Sequence, residues 1–81
     1  MQIRVRFFAW LRDAVGLDEC WLALQPGARG LDARTALVER YIRLSGLVDH
    51  ARLAVNREYQ PWEALLHDGD ELCFIPPVSG G

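Results

Sequence analysis

Glu71-Leu72-Cys73-Phe74-Ile75-Pro76-Pro77-Val78-Ser79-Gly80-Gly81 passes within a few positions from strand-like to proline-stiffened to bare of side chains. Residues 71–75 read as a strand, with Leu72 and Phe74 on one face and Cys73 and Ile75 on the other. Pro76 and Pro77 lack an amide donor and hold φ at about −65°, so the strand cannot go on pairing as a central strand beyond them. Residues 78–81 then extend by about 13 Å at roughly 3.3 Å per residue, and Gly80 and Gly81 have no side chain to hinder entry into a narrow pocket. We therefore expect a globular domain over residues 1–77 and an extended, flexible tail over residues 78–81, with the Gly81 carboxylate reaching furthest. A Gly-Gly end is also what a linker remnant leaves. Linkers, however, are Gly/Ser-rich over longer stretches, whereas a stiff Pro-Pro set against a strand presents a short end to something.

The rest of the chain has to supply a sheet for that strand. Residues 2–8 alternate, with Ile3, Val5 and Phe7 on one face and Gln2, Arg4 and Arg6 on the other. Phe8 falls on the arginine parity and Ile75 on the outward parity of its own strand, which makes each a rim residue or an exposed apolar contact for a partner. Residues 10–15 before Gly16 predict a short helix, with Trp10, Leu11 and Ala14 toward the sheet edge. Residues 19–24 alternate again and are closed by Gln25-Pro26-Gly27, so they form a hairpin with the first strand. From residue 31 the period turns helical: Leu37, Val38, Tyr41, Ile42 and Ser45 recur on one side, and Arg34, Glu39, Arg40 and Arg43 face away. This predicts one long helix, started by Gly30 or Asp32, ended by Gly46 and supported by a Glu39–Arg43 pair.

Residues 53–55 and 58–60 read as a small hairpin around Asn56-Arg57. Residues 61–66 read as one helical turn with Pro61 first, and residues 67–70 as a tight acidic turn into the last strand. The order strand, strand, helix, strand, strand, turn, strand predicts an α+β fold with one main helix packed across a mixed sheet. If the first and last strands pair in parallel at the centre of that sheet, Phe8 and Ile75 lie at one end, where Tyr59 can join them in an exposed apolar patch beside the root of the tail.

Composition excludes several functions. With 81 residues, 51% hydrophobic content and a net charge of −2, the chain is a single small acidic domain without the basic patch of a nucleic-acid binder. Its apolar runs are too short to span a membrane, and its start has no signal-peptide segment, so we expect a cytoplasmic protein. Cys20 and Cys73 lie in no CxxC pair; reduced thiols are expected, although two strand-borne cysteines could meet. His50 and His67 read as surface turn residues, Ser45 and Ser79 sit in no nucleophile elbow, and Asp68, Asp70 and Glu71 lack the further ligands of a calcium site. Trp10, Trp21, Trp62 and Tyr41 read as core or core-rim aromatics. No catalytic residue and no bound cofactor or metal is expected. All 9 basic residues are arginine, so no side-chain amine is present on which isopeptide chains could be built.

Asp68-Gly69-Asp70-Glu71-Leu72 followed by Phe74-Ile75-Pro76-Pro77-Val78-Ser79-Gly80-Gly81 strongly resembles the small-subunit family of molybdopterin synthase, whose members are ubiquitin-like sulfur carriers. Phe7-Phe8-Ala9, Leu11-Arg12, Gly16 and Ala54-Val55-Asn56 look like further landmarks of that family, while residues 17–52 match it in pattern only. The resemblance implies a ubiquitin-like β-grasp and makes the Gly81 carboxylate the reacting group. ATP, bound by a separate activating enzyme, adenylates it; sulfur then converts it to a thiocarboxylate, which donates sulfur to a cyclic pyranopterin precursor in molybdenum cofactor biosynthesis. The resemblance also implies that Phe8, Tyr59, Ile75, Pro76, Pro77, Val78, Ser79 and Gly80 face the large catalytic subunit, in a heterotetramer of paired small and large subunits. Alternatives are another Gly-Gly sulfur carrier, of thiamine type or a ubiquitin-related modifier, and a protein-interaction module with an inert tail.

Overall fold

Five strands form one mixed sheet in the order β2-β1-β5-β3-β4, in a computed structural model that describes residues 1–75. The strands are β1 (Gln2–Arg6), β2 (Glu19–Ala23), β3 (Arg52–Val55), β4 (Glu58–Gln60) and β5 (Glu71–Ile75). The expected domain boundary at residue 77 and the tail, including Pro76, Pro77, Val78, Ser79, Gly80 and Gly81, lie outside the described residues. β5 pairs parallel with β1 and antiparallel with β3, so the strand that leads to the prolines is the central one, as expected.

The alternation of the strands does what period-2 patterning requires. Ile3 and Val5 of β1, Leu72 and Phe74 of β5 and Leu53 of β3 turn inward and are almost fully buried. Helix α2 (Gly30–Arg40) crosses that face and buries Ala33 and Leu37, while α1 (Ala9–Val15) contributes Leu11 and ends on Gly16 in the left-handed region at φ 82°. Each large side chain removed from water in this core stabilises the fold by about 1.5–3 kcal/mol before ordering costs. Phe7 meets Tyr41 edge to face, and Trp62 tilts against Phe74.

The long helix is shorter than its periodicity predicts. α2 stops at Arg40, and the chain tightens into a 3₁₀ turn over Ile42–Leu44, leaving Ile42 74% exposed and Leu44 buried. An α2 of this length spans about 16 Å, close to the length of a five-residue strand; continued to Gly46 it would run past the sheet. The tighter turn brings Leu44 and then Val48 back under the core. Gly46 has a positive φ, 84°, but lies in the turn that follows the 3₁₀ segment and not at the end of α2, and the Glu39–Arg43 pair does not form because Arg43 has left the helix. The start of α2 is capped by Asp32, whose Oδ2 accepts from the amide of Arg29 at 2.7 Å. Residues 61–66 make a hydrogen-bonded turn, closed by the Ala64 amide donating to the Pro61 carbonyl, and no helix.

Gly30 is where α2 comes closest to the sheet. A Cβ there would lie 2.5 Å from Leu53 Cδ2 and 2.8 Å from the Trp62 carbonyl oxygen. Alanine gains up to about 1 kcal/mol in helix propensity over glycine, but overpacking against a backbone oxygen costs about 1–3 kcal/mol. Gly30→Ala should therefore lower stability in urea unfolding; a stabilised variant would mean that helix propensity outweighs the contact.

Candidate functional site

The outer face of the sheet is not the polar surface that alternation alone predicts. Register places Tyr59, Ala54, Cys73, Arg6 and Glu19 in one row across β4-β3-β5-β1-β2. The next row toward the exit of β5 holds Arg52 opposite Ile75, and the β1–β5 register, extended by two residues, brings Phe8 beside Ile75. Phe8 is 44% exposed and Tyr59 57% exposed, with Ile75 half-buried between them. The structure thus brings Phe8, Tyr59 and Ile75 onto one face at the end where β5 leaves the sheet. Ala54 and Cys73, the small residues between them, form the floor of a cavity of about 250 Å³ walled by Tyr59, Ile75 and Arg57.

Arginines frame this patch. The Arg6 guanidinium lies 5.4 Å from the Phe8 ring centroid and that of Arg52 lies 4.0 Å from the Tyr59 ring. The opposite end of the face is neutralised, since Arg4 contacts Glu19 at 2.8 Å and Glu71 at 3.8 Å. Trp21, expected in the core, stands on this face opposite Arg4 and is 52% exposed; it occupies the edge strand, where no further strand covers it. Trp10, Tyr41 and Trp62 do pack against the core as expected.

The two cysteines do not meet. Cys20 turns inward on β2 and Cys73 outward on β5, and both are free and buried. Burial pushes both thiols up: Arg40 and Tyr41 partly offset this at Cys20, while at Cys73 Glu71 adds to it and Arg6 and Arg57 oppose it. Each is held in its weakly nucleophilic thiol form near neutral pH. Among the described residues no group of His, Cys, Asp and Glu is arranged to hold a metal ion, and no helix is long and apolar enough to cross a membrane.

Asp68-Gly69-Asp70-Glu71 is a brace for the last strand. The buried Asp70 accepts from Asn56 Nδ2 at 2.9 Å and from the His67 amide at 2.7 Å. Asn56 in turn accepts from the Glu71 amide through Oδ1, and its own amide donates to the Glu71 carbonyl. On the other side the Gln2 amide donates to Asp68 Oδ1, the Gly69 amide to the Gln2 carbonyl and the Arg4 amide to the Asp70 carbonyl. One turn thereby ties β1, the β3–β4 hairpin and the entry of β5 together, and so fixes the direction in which β5 leaves. Asp70→Ala strands the Asn56 amide group and the His67 N–H in a partly buried site, and should lower stability by about 1–3 kcal/mol. A melting curve unchanged by Asp70→Ala would remove the brace.

A mixed sheet with a parallel central pair, a helix across one face and an exposed apolar patch where the last strand departs defines the ubiquitin-like β-grasp class. The chain belongs to the ThiS family, which it matches over residues 5–81. It is 42% identical over 84 residues to the molybdopterin synthase sulfur carrier subunit of Mycobacterium tuberculosis, covering 100% of this chain and 99% of that protein. It is 38% identical over 84 residues to the Chlamydomonas reinhardtii protein of the same name, covering 100% of both. Among solved structures, SAMP1 from Haloferax volcanii, a small archaeal modifier protein, matches with a TM-score of 0.90 at 29% identity over 100% of both chains.

Proposed function

We infer that this chain is the sulfur-carrier subunit of a molybdopterin synthase, and that Gly81 is the residue that carries the sulfur. The observation behind this reading is that the strand leading into Pro76-Pro77 and Gly80-Gly81 is the sheet's central one, braced on both sides and leaving beside an apolar patch, in a chain similar from end to end to sulfur carrier subunits. A carboxylate is a poor acyl donor, so its activation comes from outside. An adenylating enzyme joins the Gly81 carboxylate to the α-phosphate of ATP and releases pyrophosphate. A sulfur nucleophile then forms the C–S bond as the C–O bond to AMP breaks. Terminal glycine leaves the attacked carbonyl uncrowded. Phe8, Tyr59 and Ile75 dock on the large subunit, with residues 76–80 leading the thiocarboxylate into its active site, where that subunit supplies the acids and bases.

The test is intact-mass spectrometry of the purified chain after incubation with the adenylating enzyme of the same organism, ATP and sulfide. Exchange of one oxygen for sulfur is expected, reversed when large subunit and pterin precursor are added; an unchanged mass sinks the reading. The likeness to a modifier protein favours one second reading, in which Gly81 is joined to amines of other proteins. That reading predicts adducts through Gly81 on other proteins' lysines in the same spectra. No branched chains are possible on the carrier itself, since all 9 of its basic residues are arginine.

A further inference from the structure

Among the described residues, the non-glycine positions with positive φ are Ala9 at 48°, Asn56 at 51° and Arg57 at 70°. They border the apolar patch: Ala9 follows Phe8, and Asn56-Arg57 forms the β3–β4 turn beside Tyr59. A two-residue hairpin turn with both φ positive is of type I′, which asparagine fills well at its first position and glycine at its second. Arginine at the second position is strained, because its Cβ crowds the following carbonyl. Strain of this kind is kept where the side chain has a task the backbone does not need. Within the fold Arg57 forms no ion pair among the described residues; it walls the cavity over Ala54 and Cys73.

That cavity has room for one large apolar side chain, with Arg57 in its wall and Arg6 opposite Cys73 of its floor, while the nearby Glu71 carboxylate is engaged by Arg4. Arg6, Arg52 and Arg57 carry no ion pair among the described residues, whereas Arg4 at the far end is paired twice. Arg52 stands at the end where β5 leaves, opposite Ile75, Arg6 lies opposite Cys73 in the middle row, and Arg57 sits in the turn beside the entry of β5, so guanidiniums approach the cavity along its whole length. The guanidiniums of Arg6 and Arg52 stand over the Phe8 and Tyr59 rings. A surface that covers these guanidiniums without matching them loses their hydration for nothing, so the surface that docks here has to bring carboxylates around its apolar centre.

We propose that the socket of Ala54, Cys73, Tyr59, Ile75 and Arg57 receives an apolar side chain of the large subunit flanked by a carboxylate, and that Arg57 holds that carboxylate and selects the partner. This rests on the reading of the chain as the small subunit. Arg57→Gly tests it, since glycine relieves the strain of the turn. The variant should melt at the same temperature or higher, yet bind the large subunit of the same organism at least about tenfold more weakly in low salt, with a flatter dependence of affinity on salt. Ala54→Leu, which fills the socket and leaves the arginines, should weaken binding while the salt dependence stays steep. Arg57→Gly binding like wild type at low salt, or melting well below it, overturns the proposal: in the first case the arginine does not touch the partner, and in the second it is structural. Wild-type chain that fails to bind the large subunit at any salt removes the small-subunit reading and this proposal together, whereas tight wild-type binding indifferent to Arg57 removes the socket alone.

Discussion

Deleting Gly81 should abolish sulfur transfer and leave the melting curve where it was. Among the described residues, Leu72 and Phe74 of the last strand, Glu71–Ile75, are already fully buried in the core. The deletion withdraws the reacting carboxylate by roughly 3.4 Å and puts it on Gly80. In a reaction that depends on positioning, a misplacement of about 1 Å already costs on the order of a hundredfold, so the loss should exceed two orders of magnitude. A peptide tag joined to Gly81 should be as damaging, since it converts the carboxylate into an amide that cannot be adenylated. The measurements are cofactor production in cells lacking the wild-type gene and a thermal melt of the same variant. Normal cofactor production would take Gly81 out of the mechanism; a lowered melting temperature would make the end of the chain part of the fold.

Phe8→Asp should separate docking from folding. Phe8 is the N-cap residue of α1, in extended conformation, and makes no side-chain cap bond there. Aspartate is among the best residues at such a position, because its carboxylate accepts from the first free amides of the helix; the variant should therefore fold as well as the wild type or slightly better. Binding to the large subunit should nevertheless fall by about 2–4 kcal/mol, the scale of a lost hot spot. The change removes the aromatic ring under Arg6 and puts a carboxylate into a patch that we infer meets carboxylates. Titration calorimetry with the large subunit, beside a melt of the free variant, checks both halves. Undiminished affinity in a folded variant would show that Phe8 lies outside the interface, and an unfolded variant that it belongs to the core.

Both variants concern residues that the amino-acid sequence itself singles out. Parity marks Phe8 and Ile75 because a strand's side chains alternate strictly, so an apolar residue on the outward parity stands out. The order of elements and the hairpin at Asn56-Arg57 follow from equally local signals, whereas the central parallel pair joins the two ends of the domain and is legible only through the family resemblance. Less is legible where length or partnership in space decides. Helical periodicity runs on through Ser45, since Leu37, Tyr41 and Leu44 keep their spacing; α2 nevertheless stops at Arg40, at about the length of the strands beneath it, which no local pattern encodes. Trp21 reads as core by size and proves to be surface by strand order, because β2 is an edge. The task of Asp70 depends on a bond to Asn56, far away in sequence. Arg57 carries a usable signal: arginine where an Asn-initiated two-residue hairpin favours glycine is a mismatch that sequence alone displays.

The central place of β5 also governs how the molecule comes into being. Synthesis runs from the N-terminal side, so the β1–β2 hairpin and the β3–β4 hairpin emerge early, yet within the sheet they are joined only through β5. Until residues 71–75 have been made, the sheet is two fragments with a gap between them, and Ile3, Val5 and Leu53 lack the neighbours Leu72 and Phe74 that close the core. Pairing between β1 and β5 closes nearly the whole chain in one step, a non-local contact that makes folding late and cooperative. A nascent or truncated copy lacking β5 therefore has no folded row of Tyr59, Ala54, Cys73 and Arg6 across the outer face. Folding therefore waits for residues 71–75, so a folded copy is one whose central strand has already been synthesised.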